Sequence, residues 1–225
     1  MVWGTSMADG RLYLGTRRYS SWSMRGWLLV ALAGLDVDET VIPLGETHSP
    51  EAAALSPSGL VPYLEHRGLA IWDSMAIAEY CAELNPVLWP LDRPGRTRAR
   101  VISAEMHSGF RGLRSAMPMN ITRHAPGRGQ TVDALADLLR IQAVWRDTRA
   151  QFGAGGPYLF GPVFNAADAM YAPVVARLLT YAPPLADDAQ AYCDVVRAHP
   201  LVAAWYDGAA QEPDAWKLVK YETAG

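Results

Sequence analysis

The spacing of apolar and polar positions changes along the chain. Arg11 to Thr16 alternates Leu12 and Leu14 with polar neighbours, which predicts a first strand. After the polar loop Arg17-Arg18-Tyr19-Ser20-Ser21, apolar residues recur at helical spacing from about Trp22 to Ala33. Leu28, Leu29, Leu32 and Leu35 supply the buried stripe of that helix and Gly34 its stop. Asp38 to Leu44 predicts a second strand, ended by Pro43, and Ser49-Pro50-Glu51 opens a short helix with Pro50 at its first position. Leu60 to Glu65 and Leu69 to Trp72 predict two strands joined by a His66-Arg67-Gly68 turn. Pro62 inside the first of them implies an interrupted edge, or a cis peptide that leaves the Val61 backbone open to a partner. Asp73-Ser74 precedes the helical run Met75 to Leu84, so one of the two is its N-cap.

Strand, helix, strand, helix, strand, strand, helix is an α/β layer with mixed strand directions, because its last two strands form a tight hairpin. Trp89 to Gly95 is a proline-rich linker, and only helical spacing follows it. The predicted helices are Arg96 to Met117, Thr131 to Phe152, Ala166 to Leu179, Asp187 to Ala198 and Leu201 to Gln211. Asn165-Ala-Ala-Asp168 is a capping box at the start of the third. The division that follows is an α/β unit over 11–86, a linker over 87–95 and an all-helical unit over 96–222. An open backbone edge at Val61 and a capped helix start at Asp73-Ser74, a few residues apart, can together grip a small peptide carrying a carboxylate.

Composition narrows the partners. The 225 residues are 50% hydrophobic and 19% charged, as in an ordinary globular chain. A net charge of −3 provides no basic field for nucleic acid or an anionic membrane. The longest apolar run, Gly26 to Leu35, is too short to span a bilayer, and the first ten residues lack the pattern of a signal peptide. Cys81 and Cys193 make neither a disulfide framework nor a CxxC pair, which points to a reducing compartment. No metal-ligand spacing occurs.

Four segments in this order carry a resemblance: Tyr19-Ser20-Ser21-Trp22-Ser23-Met24-Arg25, Ser56-Pro-Ser-Gly-Leu-Val-Pro62, Asp73-Ser74, and Asn165 to Asp168. Over about Arg11 to Glu222 the chain resembles a cytosolic glutathione transferase, with a thioredoxin-like N-terminal domain and an all-α C-terminal domain. The first loop is most similar to the serine-type classes, zeta and tau, in which the active serine lies five residues before the arginine; that offset selects Ser20. Ser21, and tyrosines at the Tyr13 or Tyr19 position, stay open. The cysteine of omega-type members is missing here. Asp73 departs from the usual Glu or Gln before the serine.

The resemblance implies that Ser20 or Ser21 activates the thiol of glutathione, the co-substrate. Val61, before Pro62, would pair with its cysteinyl backbone, Asp73 and Ser74 would hold its γ-glutamyl end, and His48 would reach its glycine carboxylate. Met106, His107, Phe110, Arg111, Arg114 and Met117 are candidates for the electrophile pocket or, for the apolar ones, for core at helical spacing. Lowering a thiol pKa by about two units takes about 2.7 kcal/mol. A hydrogen bond to a charged acceptor contributes about 1.5–3 kcal/mol, and a helix start about 0.3–1 kcal/mol. A serine at a helix start therefore suffices without a general base. The implied protein is a cytoplasmic homodimer without metal that conjugates glutathione to a small electrophile in detoxification. Two rivals remain: a cis–trans isomerase of the maleylacetoacetate isomerase type, favoured by the arginines, and a non-catalytic adaptor on the same scaffold.

Overall fold

The computed structural model describes residues 8–47 and 49–224. The N-terminal part runs β1 (Gly10–Gly15), α1 (Ser21–Ala33), β2 (Asp38–Ile42), α2 (Pro50–Leu55), β3 (Tyr63–His66), β4 (Leu69–Ile71) and α3 (Ser74–Leu84). Its sheet has the order β2-β1-β3-β4, with β1 parallel to β2 and antiparallel to β3, and β3 antiparallel to β4. The period-2 alternation of β1 serves two covered faces. Leu12 and Leu14 join the main core with α1 and α3, while Tyr13 packs with Ile42, Ala52 of α2 and Tyr63 on the other side.

Local signals end the elements where chemistry requires. Gly34 closes α1 in the left-handed region at φ 70°, and Ser49 caps α2 by accepting from the Ala52 N–H. Gly26 lets α1 lie against the ring of Pro62, since a Cβ there would come within 2.8 Å of it. Pro62 is not inside a strand, as the pattern suggested. It stands just ahead of β3, after a cis Val61–Pro62 peptide, where its missing N–H removes no bond from the ladder.

The helical part comprises α4 (Arg93–Ser108), α5 (Arg111–Ala116), α6 (Val132–Phe152), α7 (Ala166–Tyr181), α8 (Asp187–Ala198), α9 (Pro200–Ala210) and α10 (Val219–Glu222). Here two expectations need correction. α4 begins at Arg93, not Arg96, because Asp92 caps it by accepting from the Gly95 N–H at 2.7 Å with Pro94 in the first turn. The helix expected from Arg96 to Met117 breaks at Gly109-Phe110, where Phe110 takes φ 59° and buries its ring. Apolar spacing runs on across the break, so the pattern conceals it; the Arg114 guanidinium satisfies the freed α4 carbonyls, donating to those of Gly109 (2.9 Å), His107 (3.4 Å) and Met106. The short tail helix α10 carries no sequence signal of its own.

α7 is apolar on nearly every side and occupies the centre of the helical part. α1 packs on α3 on one flank and on α7 on the other, so one core runs from β1 through α1 into the helical part. The capping box of α7 is present: Asn165 accepts from the Ala167 N–H at 2.8 Å, and Asp168 accepts from the Asn165 N–H at 3.1 Å. Asp168 is fully buried and also accepts from Leu159 N–H (3.1 Å) and the Tyr192 hydroxyl (2.9 Å). Burial pushes its carboxyl up to about 6, against the pull of these donors.

Two outcomes follow. Gly26→Ala, which helix propensity alone would favour, is expected to lower stability by about 1–3 kcal/mol through the clash with Pro62, read as a lower denaturant midpoint. Asp168→Ala is expected to cost about 2–4 kcal/mol, since it strands three buried donors. Stability from a carboxyl whose folded pKa is raised is full below its unfolded value and is lost as pH climbs through about 6. The Asp168→Ala penalty should therefore shrink by about 1 kcal/mol between pH 5 and pH 7, measured by urea unfolding at both.

Candidate active site

The β1–α1 loop brings the candidate hydroxyls together. Thr16 C=O accepts from the N–H groups of Tyr19 (3.2 Å) and Ser20 (2.9 Å), folding the loop into one turn. Ser20 is then the N-cap of α1: its Oγ accepts from the Ser23 N–H at 3.2 Å and donates to Ser23 Oγ at 2.8 Å. Ser23 Oγ also accepts from the Gly15 N–H at 2.8 Å, tying the strand end to the helix start. Ser21 Oγ accepts instead from the guanidinium of Arg177 on α7, at 3.3 Å.

Both hydroxyls line a cavity of about 460 Å³ between the two parts of the chain. Leu44, Gly45, Thr47, Gly59 to Val61 and α2 form one wall; Arg114, Met119, Arg177, Lys220 and Tyr221 form the other. A second cavity of about 320 Å³ adjoins it through Trp22, Leu60 and Val61 and ends at Pro62, Trp72 and Asp73. The cleft thus runs from the start of α1, past the Val61 backbone, to the start of α3. There Asp73 is the N-cap, accepting from the Met75 N–H at 2.9 Å, and Ser74 Oγ is buried without a hydrogen-bond partner. His107 of α4 reaches across to Asp73, Nε2 to Oδ2 at 3.0 Å. His48 lies outside the described residues. In a larger open groove of about 770 Å³ at the far end of the sheet, Arg67 pairs with Asp9 at 2.8 Å and Arg11 with Asp38 at 3.8 Å, while Glu65 accepts from the Tyr13 and Tyr63 hydroxyls.

The end of the cleft at the hydroxyls is cationic. Arg114, Arg177 and Lys220 line the 460 Å³ cavity, and no Asp or Glu does among the described residues. Arg177 is buried, which together with the nearby Arg114 charge pushes its guanidinium down to about 9, and its Nε has no partner. Arg25, five residues after Ser20, is fully buried and bonds the Met170 carbonyl at 3.0 Å. Burial, then the Arg114 and Arg177 charges, depress it. Arg25 and Arg114 also sit over the Trp22 ring, at 4.9 and 5.1 Å.

The tyrosine alternatives fare differently from the serines. Tyr19 donates to Glu222 at 2.6 Å and accepts from the Leu218 N–H at 3.3 Å; burial and then Glu222 push its phenol up to about 12, away from phenolate. Tyr13 lies on the α2 face of the sheet and donates to Glu65 at 3.3 Å. Met106, Phe110 and Met117 are core, and Arg111 is exposed. The sequence reading missed Arg177, Lys220 and Tyr221. Arg177 had a signal, the one cation in a helix whose only other charge is the capping Asp168; the other two lie in a tail without periodicity.

Comparison with known proteins agrees with the fold. Residues 19–84 match the glutathione S-transferase N-terminal domain and residues 121–208 the glutathione S-transferase C-terminal domain. A maleylacetoacetate isomerase from Rattus norvegicus is 29% identical over 176 residues, 74% of this chain and 76% of that one. A glutathione S-transferase 1 from Dianthus caryophyllus is 27% identical over 186 residues, 76% of this chain and 77% of its own. In fold, a crystal structure of a glutathione transferase homologue from Burkholderia gl BGR1 with bound glutathione superposes with a TM-score of 0.69 at 22% identity, covering 91% of this chain and all of that one. The thioredoxin-like layer with its helical partner, the two domain matches and the hydroxyl-lined cleft between them place the chain in the cytosolic glutathione transferase superfamily, as an enzyme of that kind.

Proposed function

We propose that Ser20 stabilises the glutathione thiolate, that Val61 pairs through its backbone with the cysteinyl unit, and that Asp73 and Ser74 hold the γ-glutamyl end. The observation that carries this reading is the cleft itself. It has helix-start hydroxyls at one end, an N-cap carboxylate beside an unpartnered buried hydroxyl at the other, and Val61 between them. Asp73 takes the ammonium, and Ser74 with the first turn of α3 takes the carboxylate. His48 is the proposed contact for the glycine carboxylate.

Ser20 donates to Ser23 Oγ in the absence of a ligand. A thiolate is the stronger acceptor, and turning that hydrogen to sulfur contributes about 1.5–3 kcal/mol towards the anion. The start of α1 and the Arg177 guanidinium at Ser21 add positive field at the same place. Ser21 is the alternative donor. The thiol proton leaves to solvent, and sulfur attacks an electrophilic carbon held against the helical part. With a halide substrate, the carbon–sulfur bond forms as the carbon–halogen bond breaks and halide departs with the electron pair.

A second reading is favoured by the three cations that line the 460 Å³ cavity, with no Asp or Glu lining it among the described residues, and by the isomerase named among the relatives. Here the thiolate adds to the double bond of an unsaturated diacid, the new single bond rotates, and elimination returns the thiolate and the trans alkene. A non-catalytic adaptor is disfavoured by the retained cleft chemistry. Residues 11–86 are proposed as the glutathione-binding domain and 96–222 as the electrophile-binding domain, joined by 87–95. Family membership supports a homodimer, a detoxifying role and a cytoplasmic location, and two buried, free cysteines fit a reducing compartment.

Ser20→Ala is expected to keep glutathione affinity within about threefold by calorimetry and to lower kcat with an aryl halide about 10–100-fold. Unchanged turnover would transfer the role to Ser21, and no heat or Tm rise with saturating glutathione in the unmodified protein would remove the site altogether. Arg114→Met is expected to raise KM for an unsaturated diacid at least about tenfold while leaving a neutral aryl halide within about twofold. Equal effects on both substrates would leave the isomerase reading without support.

A further inference from the structure

The residues just before Ser20 are held almost entirely by the far end of the chain. Glu212, at the end of α9, is 8% exposed, and its carboxylate accepts from the backbone N–H groups of Arg17 and of Arg18, the latter at 3.2 Å. Arg18 is 4% exposed and closes over this contact. Its guanidinium donates to the Glu212 and Pro213 carbonyls and lies 3.9 Å from the Glu212 carboxylate. The loop carbonyls are taken as well: Arg17 C=O accepts from the Trp205 indole at 3.2 Å, and Arg18 C=O from the Ile121 N–H at 3.2 Å. Next in sequence, the Tyr19 hydroxyl is bound by Glu222 and Leu218, and its ring stacks on Tyr221 with centroids 4.6 Å apart.

A carboxylate on two consecutive backbone N–H groups fixes the direction of both peptide planes. Those planes lead directly into the turn whose last residue is Ser20. We propose that Glu212 is a positioning residue for the thiol-activating hydroxyl: seated on the Arg17 and Arg18 amides and covered by the Arg18 guanidinium, its carboxylate sets the turn that presents Ser20 to sulfur. The segment after α9 is on this account part of the catalytic apparatus. The proposal rests on the reading of the β1–α1 loop as the thiol site.

Charge and position act in opposite directions here, which makes the role separable. Removing a negative charge near the thiolate lowers the thiol pKa by Coulomb's law alone, whereas losing the aligned hydroxyl raises it. The experiment is a pH titration of the thiolate absorbance of bound glutathione, with kcat and KM, for the unmodified protein, Glu212→Ala, Glu212→Gln and Ser20→Ala. Glu212→Ala is expected to raise the bound thiol pKa by about one unit, lowering kcat below that pKa about tenfold with glutathione KM within about threefold. Glu212→Gln keeps one oxygen acceptor and should fall between the two. A thiol pKa that is unchanged or lower in Glu212→Ala, while Ser20→Ala raises it, overturns the role of Glu212 alone. A normal thiol pKa in the unmodified protein overturns the site reading and this proposal together. If Glu212→Ala does not fold, Glu212→Gln carries the test: loss of the negative charge alone lowers the thiol pKa, so a pKa that does not rise in Glu212→Gln overturns the proposal.

Discussion

The site depends on one close approach, that of α1 to the ring of Pro62. Gly26 supplies no Cβ, so the helix settles where any other residue would collide with the ring. Ser20 lies six residues earlier, which is about 9 Å along the helix axis. The same contact therefore sets both the height of the hydroxyl turn and the position of the Val61 backbone just ahead of Pro62. Because α1 is also packed against α3 and α7, the distance between the hydroxyl turn and the Val61 backbone is a property of the core and not of a loop.

Around that frame the chain keeps cations beside the hydroxyl turn. Arg25 and Arg177 are buried without carboxylate partners among the described residues, held by carbonyls, a serine oxygen and the face of Trp22. Neutral partners leave their positive field unquenched, and burial keeps solvent from screening it. The same arrangement would serve either proposed reaction, conjugation or isomerisation, since both begin with a thiolate. What would differ is the charge of the second substrate facing Arg114 and Arg177.

The C-terminal segment adds a constraint that the N-terminal layer cannot supply by itself. Lys220 donates to the carbonyls of Gly45 (3.0 Å) and Glu46, while Asn120 donates to the Tyr221 carbonyl (3.3 Å) and to Glu222 (3.1 Å). These bonds tie the tail to both walls of the cleft. The loop before α1 gains its order from Glu212, Trp205, Ile121 and Glu222, all far from it in sequence.

Local chemistry made much of this legible in the chain. Period 2 around Leu12 and Leu14, the glycine after Ala33, proline at the first position of α2, and the Asn165 and Asp168 pair each declare themselves within a few residues, because strand faces, caps and turns are short-range matters. The same range exposed Ser20, Ser21, Asp73 and Ser74 as helix starts. It did not show that α4 stops at Ser108, since Phe110 and Leu113 continue the apolar spacing while the break is satisfied by Arg114 from beyond it. Nor did it reveal Arg177 against Ser21, His107 against Asp73, or Glu212 on the Arg17 and Arg18 amides. Each of those pairs joins residues that only the folded core brings within a hydrogen bond, and no periodicity along a chain encodes a distance across it.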